Sequence, residues 1–224
     1  ASDVYKRQGN LVSGDDATSR DIFVRDRQME TTERVSVDSN GTQADGNSTN
    51  PTISSDGRYV AFDSFATNLV TDDTNEVQDV FLHDRKTGKT KRVSIDSDGE
   101  QGDGRSISPS ISGNGRYIAF DSLSTNLVDD DTNGLQDIFV HNRQTGKTEL
   151  ISVDNNGNQA DRQSNGPHIS HEGRYVSFTS LALNLVPNVG GSWDTYVRDR
   201  LTNTTERVSS VSYTHLTLPT NTPV

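Results

Sequence analysis

The chain of 224 residues contains no cysteine, one methionine and one tryptophan, and only 29% of its residues are hydrophobic. Without cysteine, neither a disulfide framework nor thiol chemistry is available. The sequence has no run of about 18 apolar residues, which argues against a helical membrane span. The low hydrophobic content resembles that of a disordered chain, but the apolar residues fall at regular, strand-like positions and therefore predict a folded protein.

Basic residues are also scarce, because 21 Lys and Arg stand against 32 Asp and Glu, for a net charge of −11. A nucleic-acid partner needs clustered basic residues to neutralise its phosphates, so this balance argues against one. The acidic residues concentrate in the loops between predicted strands. Two interpretations stay open for them, namely solubility and cation binding.

What the chain does have is an internal repeat of 58 residues. The segment Pro51–Ser108 aligns without a gap on Pro109–Gly166. The tripeptide Gly-Arg-Tyr begins at the same point of three successive copies, namely Gly57, Gly115 and Gly173. Self-similarity at this period predicts a stacked architecture, in which one supersecondary unit buries its faces against its neighbours.

Both ends of the chain fall outside the repeat. Residues 1–8 do not match the equivalent segment of later copies, and residues 210–224 lose the register of the repeat. Both segments resemble translated sequencing-adapter read-through, so we interpret them as non-native tails and exclude them from fold reasoning. The alternative is a genuine capping segment, since Tyr213–Leu218 alternates like a strand.

Each copy of the repeat predicts four short strands and no helix. In the second copy these strands are Pro51–Ser54, Tyr59–Ser64, Asp79–His83 and Thr90–Ile95. The first two are joined by Asp56-Gly57, a dipeptide that supplies the positive φ of a hairpin turn. The second strand is apolar at most positions, so we expect it to be buried on both faces.

Four antiparallel strands per unit, repeated radially, describe a blade of a β-propeller. The run Pro-x-Ile-Ser-x-x-Gly-Arg-Tyr-Val/Ile-Ala-Phe, followed by Asp-Val/Ile-Phe and Asp-Arg-x-Thr-Gly, resembles the WD40-like repeat of TolB-type propellers. The resemblance implies an all-β propeller that serves as a binding platform or as an accessory domain of an enzyme.

The strand count predicts an arc rather than a closed ring. Fourteen strands make about three and a half blades, distributed over residues 9–50, 51–108, 109–166 and 167–209. A ring of four blades would need about 16 strands. We therefore expect an arc of a larger propeller, monomeric except for association through its exposed edges.

Strand direction alternates, so the two short hairpins of each blade lie on one face and the two long connections on the other. In the second copy the long connections are about Phe65–Gln78 and Asp96–Ser108. Long loops on a rigid scaffold carry function more often than short turns do. We therefore expect the functional surface on the face of the long connections.

That face holds the best candidate for a metal site, at Asp129, Asp131, Asn133 and Asp137. These residues follow the spacing D-x-D-x-N-G-x-x-D and resemble the EF-hand-like loop of calcium-binding propellers. Ca²⁺ prefers oxygen ligands, and close carboxylates repel one another unless a cation lies between them. The spacing therefore predicts a calcium site.

A weaker copy of this loop occurs in the preceding blade, with Asp73, Asn75 and Asp79 as candidate ligands. Glu76 replaces the glycine of the sharp turn there. For both copies the alternative is that the Asp and Asn side chains form Asx turns that cap the loop without any metal.

Two other residue types recur with the repeat. His83 and His141 lie on the third strand, where hydrogen bonding or packing between blades explains them better than catalysis. Arg58 is expected to pair with Asp63 across its own blade, in a structural ion pair.

Catalytic signatures are absent, because the sequence has no G-x-S-x-G elbow, no H-E-x-x-H pair and no glycine-rich phosphate loop. We therefore predict a non-catalytic binding or scaffolding propeller, stabilised by calcium and located in the periplasm or outside the cell. Its ligand is a protein or a glycan. The alternative is a gating propeller of a larger hydrolase, either a peptidase or a carbohydrate-active enzyme.

Overall fold

The computed structural model describes residues 11–12, 19–187, 189 and 191–209. Residues 1–8 and 210–224, interpreted above as non-native tails, lie outside the described residues. Within the described ranges the regular secondary structure consists of strands alone. This part of the chain accordingly holds no helix with the length and apolarity of a membrane span.

Fourteen strands form four antiparallel sheets, each of which corresponds to one copy of the repeat. Blade 1 has two described strands, β1 (Phe23–Asp26) and β2 (Thr31–Arg34). Blade 2 has β3 (Ser48–Ile53), β4 (Tyr59–Ser64), β5 (Asp79–Asp84) and β6 (Lys89–Arg92).

Blades 3 and 4 repeat the arrangement of blade 2, with each strand paired to the next in chain order. Blade 3 has β7 (Ser106–Ile111), β8 (Tyr117–Ser122), β9 (Asp137–Asn142) and β10 (Lys147–Leu150). Blade 4 has β11 (Ser164–Ile169), β12 (Tyr175–Ser180), β13 (Asp194–Asp199) and β14 (Thr204–Arg207). The described sheets do not close into a ring, so the predicted arc of about three and a half blades is confirmed.

The strand bounds of blade 2 differ most from the prediction in the first and the fourth strand. The first strand begins three residues earlier, at Ser48 in blade 2 rather than at Pro51. The fourth strand of blade 2 ends at Arg92 rather than at Ile95, which instead forms an isolated bridge with Gln101. The sequence pattern placed the apolar positions correctly, but it did not show where the hydrogen-bond ladder stops.

The proline that recurs in each described first strand lies at a bulge. In blade 2 the register between β3 and β4 shifts between Thr49 and Thr52, on either side of Pro51. A proline has no N–H to donate, and a bulge is where a strand tolerates that loss. The residue before the proline takes a positive φ in all three complete blades, at Asn50, Ser108 and Gly166.

Burial follows from the stacking of blades. Every residue of β4 is buried, as predicted, because blade 2 has a neighbour on each side. In β12 the residues alternate, because one face packs on blade 3 while no described residues cover the other. Aromatic pairs from the second and third strands fill the centre of each complete blade, with ring centroids 5.8–6.1 Å apart: Phe62–Phe81, Phe120–Phe139 and Phe178–Tyr196.

Candidate functional site

The long connections lie on one face, which we call the long-loop face and define by residues 35–47, 65–78, 93–105, 123–136, 151–163, 181–187, 189 and 191–193. Their backbones are held by hydrogen bonds to the preceding loop. Asp45 accepts bonds from the N–H and the hydroxyl of Thr67, at 2.8 and 2.9 Å. Asp103 and Thr125 repeat this contact in the next blade at 2.7 and 2.8 Å, so the loops form a braced surface.

Apolar side chains project from this braced surface. Phe65 follows β4 and Leu123 follows β8, at matching positions of adjacent blades, and both are exposed. A Cβ at Gly46 would lie 2.7 Å from the Phe65 backbone, and one at Gly104 would lie 2.7 Å from that of Leu123. Because glycine allows this close backbone approach, the inner side of the loop is filled and the apolar side chain faces outward.

Blade 4 adds two further apolar side chains to the same face. Leu183 and Trp193 are both exposed, and they occupy the two ends of the connection between β12 and β13. Gly191 brings these ends together, since its Cβ position lies 3.6 Å from a methyl group of Leu183. The long-loop face therefore carries four large exposed hydrophobic residues among those that the structure describes: Phe65, Leu123, Leu183 and Trp193.

The predicted metal loop of blade 3 brings two carboxylates together. Gln159 donates from Nε2 to Asp131 at 2.7 Å and to Asp137 at 3.2 Å, so its amide bridges the pair. Asp137 is fully buried and also accepts a 2.5 Å bond from the Ser152 hydroxyl. The second carboxylate oxygen of Asp131, Oδ2, is buried and has no hydrogen-bond partner.

The remaining predicted ligands of this loop are placed differently. Asn133 donates from Nδ2 to Asp137 at 2.8 Å and accepts from the N–H of Leu135 at 2.6 Å, which is the predicted Asx-turn geometry. Asp129 is exposed at the start of the loop. Among the described residues no group of three His, Cys, Asp or Glu side chains is arranged to hold a metal.

Burial raises the free energy of the charged forms of Asp131 and Asp137. Desolvation raises the pKa of Asp137 to about 6, against the hydrogen bonds from Ser152 and Asn133 that lower it. Desolvation also raises the pKa of Asp131, and the bond from Gln159 opposes that effect. Two close, buried carboxylates favour whatever positive charge reaches them, whether a proton or a cation.

In blade 2 a guanidinium group fills the equivalent position. Arg92 approaches Asp73 and Asp79 at 3.5 Å each, and its side chain is buried. Gln101 bridges the same two carboxylates at 3.0 Å each, while Asn75 donates to Asp79 at 3.1 Å. Two of the three candidate ligands of this loop, Asp73 and Asp79, therefore lie against a positive charge that the chain itself provides.

Blade 3 lacks that internal cation. Strand pairing places Arg92 opposite Phe81 and Leu150 opposite Phe139, so the two residues are structurally equivalent. Blades 1 and 4 keep arginine at this position, where Arg34 lies 3.8 Å from Asp21 and Arg207 lies 3.5 Å from Asp194. Of the four described blades, blade 3 alone has an apolar residue here.

A second buried carboxylate joins neighbouring blades, and it corrects the expected pair between Arg58 and Asp63. Arg58 pairs instead with Asp84 at 2.7 Å. Asp63 accepts bonds from Gln78 at 2.6 Å and from the N–H of Ser108 in the next blade at 2.9 Å. The bulge before the proline frees that N–H from the ladder, so it can clamp the two blades together.

Asp121 repeats this clamp between blades 3 and 4. It accepts bonds from Gln136 at 2.8 Å and from the N–H of Gly166 at 3.1 Å. Burial raises the pKa of Asp121 to about 6. Blade 4 has Thr179 at the equivalent position, where the hydroxyl bonds to Asn165 of the same sheet. The clamp is therefore a structural device and offers no free carboxylate.

Comparison with solved structures adds to this geometry. The chain is similar to TolB from Acinetobacter baumannii, at 16% identity and a TM-score of 0.51, over 84% of this chain and 37% of that chain. It is similar to a putative TolB from Agrobacterium tumefaciens, at 16% identity and a TM-score of 0.55, over 92% of this chain and 59% of that chain. The chain has the β-propeller fold.

Propeller domains of peptidases share this fold. The β-propeller domain of the Trilobed protease from Pyrococcus furiosus matches at 14% identity and a TM-score of 0.52, over 85% of this chain and 48% of that chain. The chain thus spans less than two thirds of the length of each of these proteins. No family model and no curated protein matches the sequence. At these identities the likeness concerns the fold alone.

The two recurring histidines of the propeller serve its structure. His141 bonds through Nδ1 to the Thr148 hydroxyl at 2.9 Å, and that hydroxyl donates to the carbonyl of Ile95 in the preceding blade at 2.6 Å. The threonine oxygen must therefore accept from a protonated Nδ1, so the imidazole and the hydroxyl together join the two blades. Burial lowers the pKa of His141 to about 4. His83 and Thr90 repeat the arrangement.

Sequence reasoning missed the residues that bridge the carboxylate pairs and those that compensate their charge. The bridging glutamines recur at one repeat length, at Gln43, Gln101 and Gln159. The cationic position recurs as Arg34, Arg92, Leu150 and Arg207. Aligning the copies column by column would have exposed Leu150 as the exception. It would not have shown that this column faces the acidic loop, because the two segments meet only after the sheet forms.

Proposed function

We propose that this chain is a non-catalytic binding propeller whose long-loop face recognises a protein partner. The observation that supports the proposal is the set of four exposed hydrophobic residues on that face, Phe65, Leu123, Leu183 and Trp193. Apolar groups exposed on a polar surface mark interaction sites, and aromatic residues in particular act as anchors at interfaces. Their positions on braced loops reduce the entropy lost on binding.

The acidic character of the chain favours a partner surface that combines apolar and basic groups. Polar loop residues surround the four anchors, and Asp72, Asp129 and Asp130 are exposed on the same face. Complementary charge at the rim of an interface increases the association rate and selects the partner. A glycan is the rival ligand, since an exposed tryptophan also stacks on sugar rings.

A peptide library displayed on phage tests this proposal. We expect selected peptides to lose at least tenfold in affinity for a Phe65→Ser, Leu123→Ser, Trp193→Ser variant, because each anchor contributes about 1 kcal/mol or more at an interface. The matched control is Met29→Ser, Leu201→Ser, which changes two exposed residues of the short hairpins. Equal affinity for both variants would refute the proposal, and glycan-array binding that depends on Trp193 would favour the rival.

A second candidate function is an accessory propeller of a larger hydrolase, which is supported by the fold likeness to the Trilobed protease domain. Under this alternative the propeller gates access to a catalytic domain rather than binding a separate partner. A G-x-S-x-G elbow with Asp and His partners in the same reading frame of the gene would support it. Its absence from the gene would exclude a serine hydrolase of that type.

We also propose that blade 3 binds Ca²⁺ between Asp131 and Asp137. The support is the buried, unpartnered Oδ2 of Asp131, together with Leu150 in place of the arginine that other blades carry. Gly134, with a φ of 64°, gives this loop the sharp turn expected of a calcium loop. This proposal sets the chain in the periplasm or outside the cell, where free calcium reaches a low-affinity site.

Thermal unfolding of the full chain in EDTA and in millimolar Ca²⁺ tests the calcium proposal. Saturation at about 100 times Kd adds about 2.7 kcal/mol to the free energy of unfolding, so we expect Tm to rise by several degrees. Asp131→Asn and Leu150→Arg should both abolish the rise, the latter because it supplies the cation internally. Asp73→Asn in blade 2 is the control that keeps it. No rise, or a rise that both variants retain, would contradict the proposal.

A further inference from the structure

A crevice with a volume of about 630 Å³ opens between blades 2 and 3, on the side of the short hairpins. None of the four exposed hydrophobic residues of the long-loop face lines the crevice, so it is independent of the function proposed above. One wall is formed by Leu82 and Val93 of blade 2, and Arg143 of blade 3 forms another. Lys89 and Lys91 line the crevice as well. The one carboxylate of the lining, Asp84, is already paired with Arg58, so the crevice is basic in a chain of net charge −11.

The flanking interfaces close the equivalent space with an ion pair. Between blades 1 and 2, Arg85 binds the carboxylate of Glu33. Between blades 3 and 4, Arg200 binds that of Glu149. In each case the arginine follows the third strand of one blade and the glutamate lies on the outer strand of the preceding blade. The carboxylate therefore seals the gap between the outer edges of the blades.

The crevice lacks this carboxylate because lysine replaces it. Glu33 pairs with Val24 in the sheet of blade 1, and Lys91 pairs with Leu82 at the same position of blade 2. Arg143, equivalent to Arg85, still stacks on the ring of Tyr59 at 4.0 Å. Among the described residues it forms no ion pair, and the residue of blade 2 equivalent to Glu33 is a cation, Lys91.

We propose that this crevice binds the side-chain carboxylate of a glutamate or aspartate from an acidic peptide segment of a partner. Arg143 binds the carboxylate of the partner in the way that Arg85 and Arg200 bind glutamates of the chain itself. Lys91 adds a second positive charge. Leu82 and Val93 provide an apolar wall for the aliphatic groups beside it. The volume exceeds what one carboxylate needs, which fits a peptide rather than a small anion.

The geometry of the ligand is set by groups already in place. The Arg143 Nε–H is directed to the carbonyl of Gly115, and the ring of Tyr59 holds the guanidinium plane. A positioned guanidinium loses little entropy on binding, and it offers its remaining N–H groups to a carboxylate in a planar fork. The chain therefore binds the charge with a preorganised group rather than with a mobile surface side chain.

Titration of the full chain with acetyl-Ala-Leu-Glu-Leu-Ala-amide, followed by the NMR signals of arginine Nε–H groups, tests the proposal. We expect saturable shifts of the Arg143 signal at ~1 mM peptide, a concentration typical of a single-anchor contact. The peptide with Gln in place of Glu should bind at least tenfold more weakly. Equal shifts with both peptides would overturn the proposal, as would shifts that inorganic phosphate reproduces in full at the same concentration.

Two variants locate the site. Lys91→Glu restores the intramolecular pair with Arg143 and should abolish the peptide-induced shifts while leaving the fold intact. Arg27→Glu makes the same change of charge on the short hairpin of blade 1, a blade that contributes no residue to the lining of the crevice, and should leave binding within twofold of the unmodified chain. Retained binding in Lys91→Glu, or equal loss in both variants, would refute the assigned site.

Discussion

Replacing Phe139 by alanine is expected to reduce the free energy of unfolding by about 3–5 kcal/mol. The Phe139 side chain is fully buried in β9 and stacks on Phe120, with ring centroids 6.0 Å apart. It also belongs to the apolar cluster that joins blades 2 and 3. Truncation removes the transfer free energy of the ring and leaves a cavity that two rigid sheets cannot close.

Urea denaturation of the full chain measures this effect through the midpoint and the slope of the transition. Leu123→Ala is the matched control, because this side chain is exposed on the long-loop face, and we expect it to change stability by about 0.5 kcal/mol or less. A loss below about 1.5 kcal/mol for Phe139→Ala would mean that the blades relax into the cavity, and it would contradict a close-packed centre.

Replacing Arg92 by leucine is expected to reduce the free energy of unfolding by about 3 kcal/mol in calcium-free buffer, the low end for breaking a buried ion pair. Arg92 lies 3.5 Å from both Asp73 and Asp79, distances that give charge compensation without short hydrogen bonds. Without it, the fully buried Asp79 keeps only the bonds from neutral groups such as Gln101. The variant gives blade 2 an apolar residue at the position where blade 3 has Leu150.

Arg207→Leu is the matched control, since it removes the same residue from blade 4. The Arg207 side chain is 27% exposed in its pair with Asp194, so solvent screens the charge and we expect a loss of about 1 kcal/mol or less. Equal losses for the two variants would contradict the role of burial. The same urea series in millimolar Ca²⁺ would show whether the calcium proposal extends to a blade that has lost its arginine.

The sequence was sufficient for features that depend on local interactions. Continuous apolar runs and Asx-Gly turns are set by neighbours a few positions apart, so β4 and the turn at Asp56-Gly57 could be predicted directly. The period of 58 residues then predicts that every copy forms the same blade, and the copies together give the arc. The candidate loop at Asp129–Asp137 was found in the same way, because its spacing is a property of nine consecutive residues.

The partners of charged side chains could not be predicted in the same way. Arg58 was assigned to Asp63, yet it binds Asp84, because the turn between β3 and β4 lies beside the end of β5. Asp63 is held by an N–H that becomes available only through the bulge of the next blade. These contacts join residues 26 and 45 positions apart, and their geometry depends on strand register.

The sequence by itself determined the repeat, the strand content and the positions of the turns, because each of these follows from short-range patterning. The tertiary structure alone decided which charges are compensated. Leu150 and Lys91 are ordinary residues in the sequence. They matter only because the folded sheets place Leu150 where other blades carry arginine, and Lys91 in the crevice that Arg143 also lines. Charge compensation depends on distance in space and on exclusion of water, and both arise only when the blades pack together.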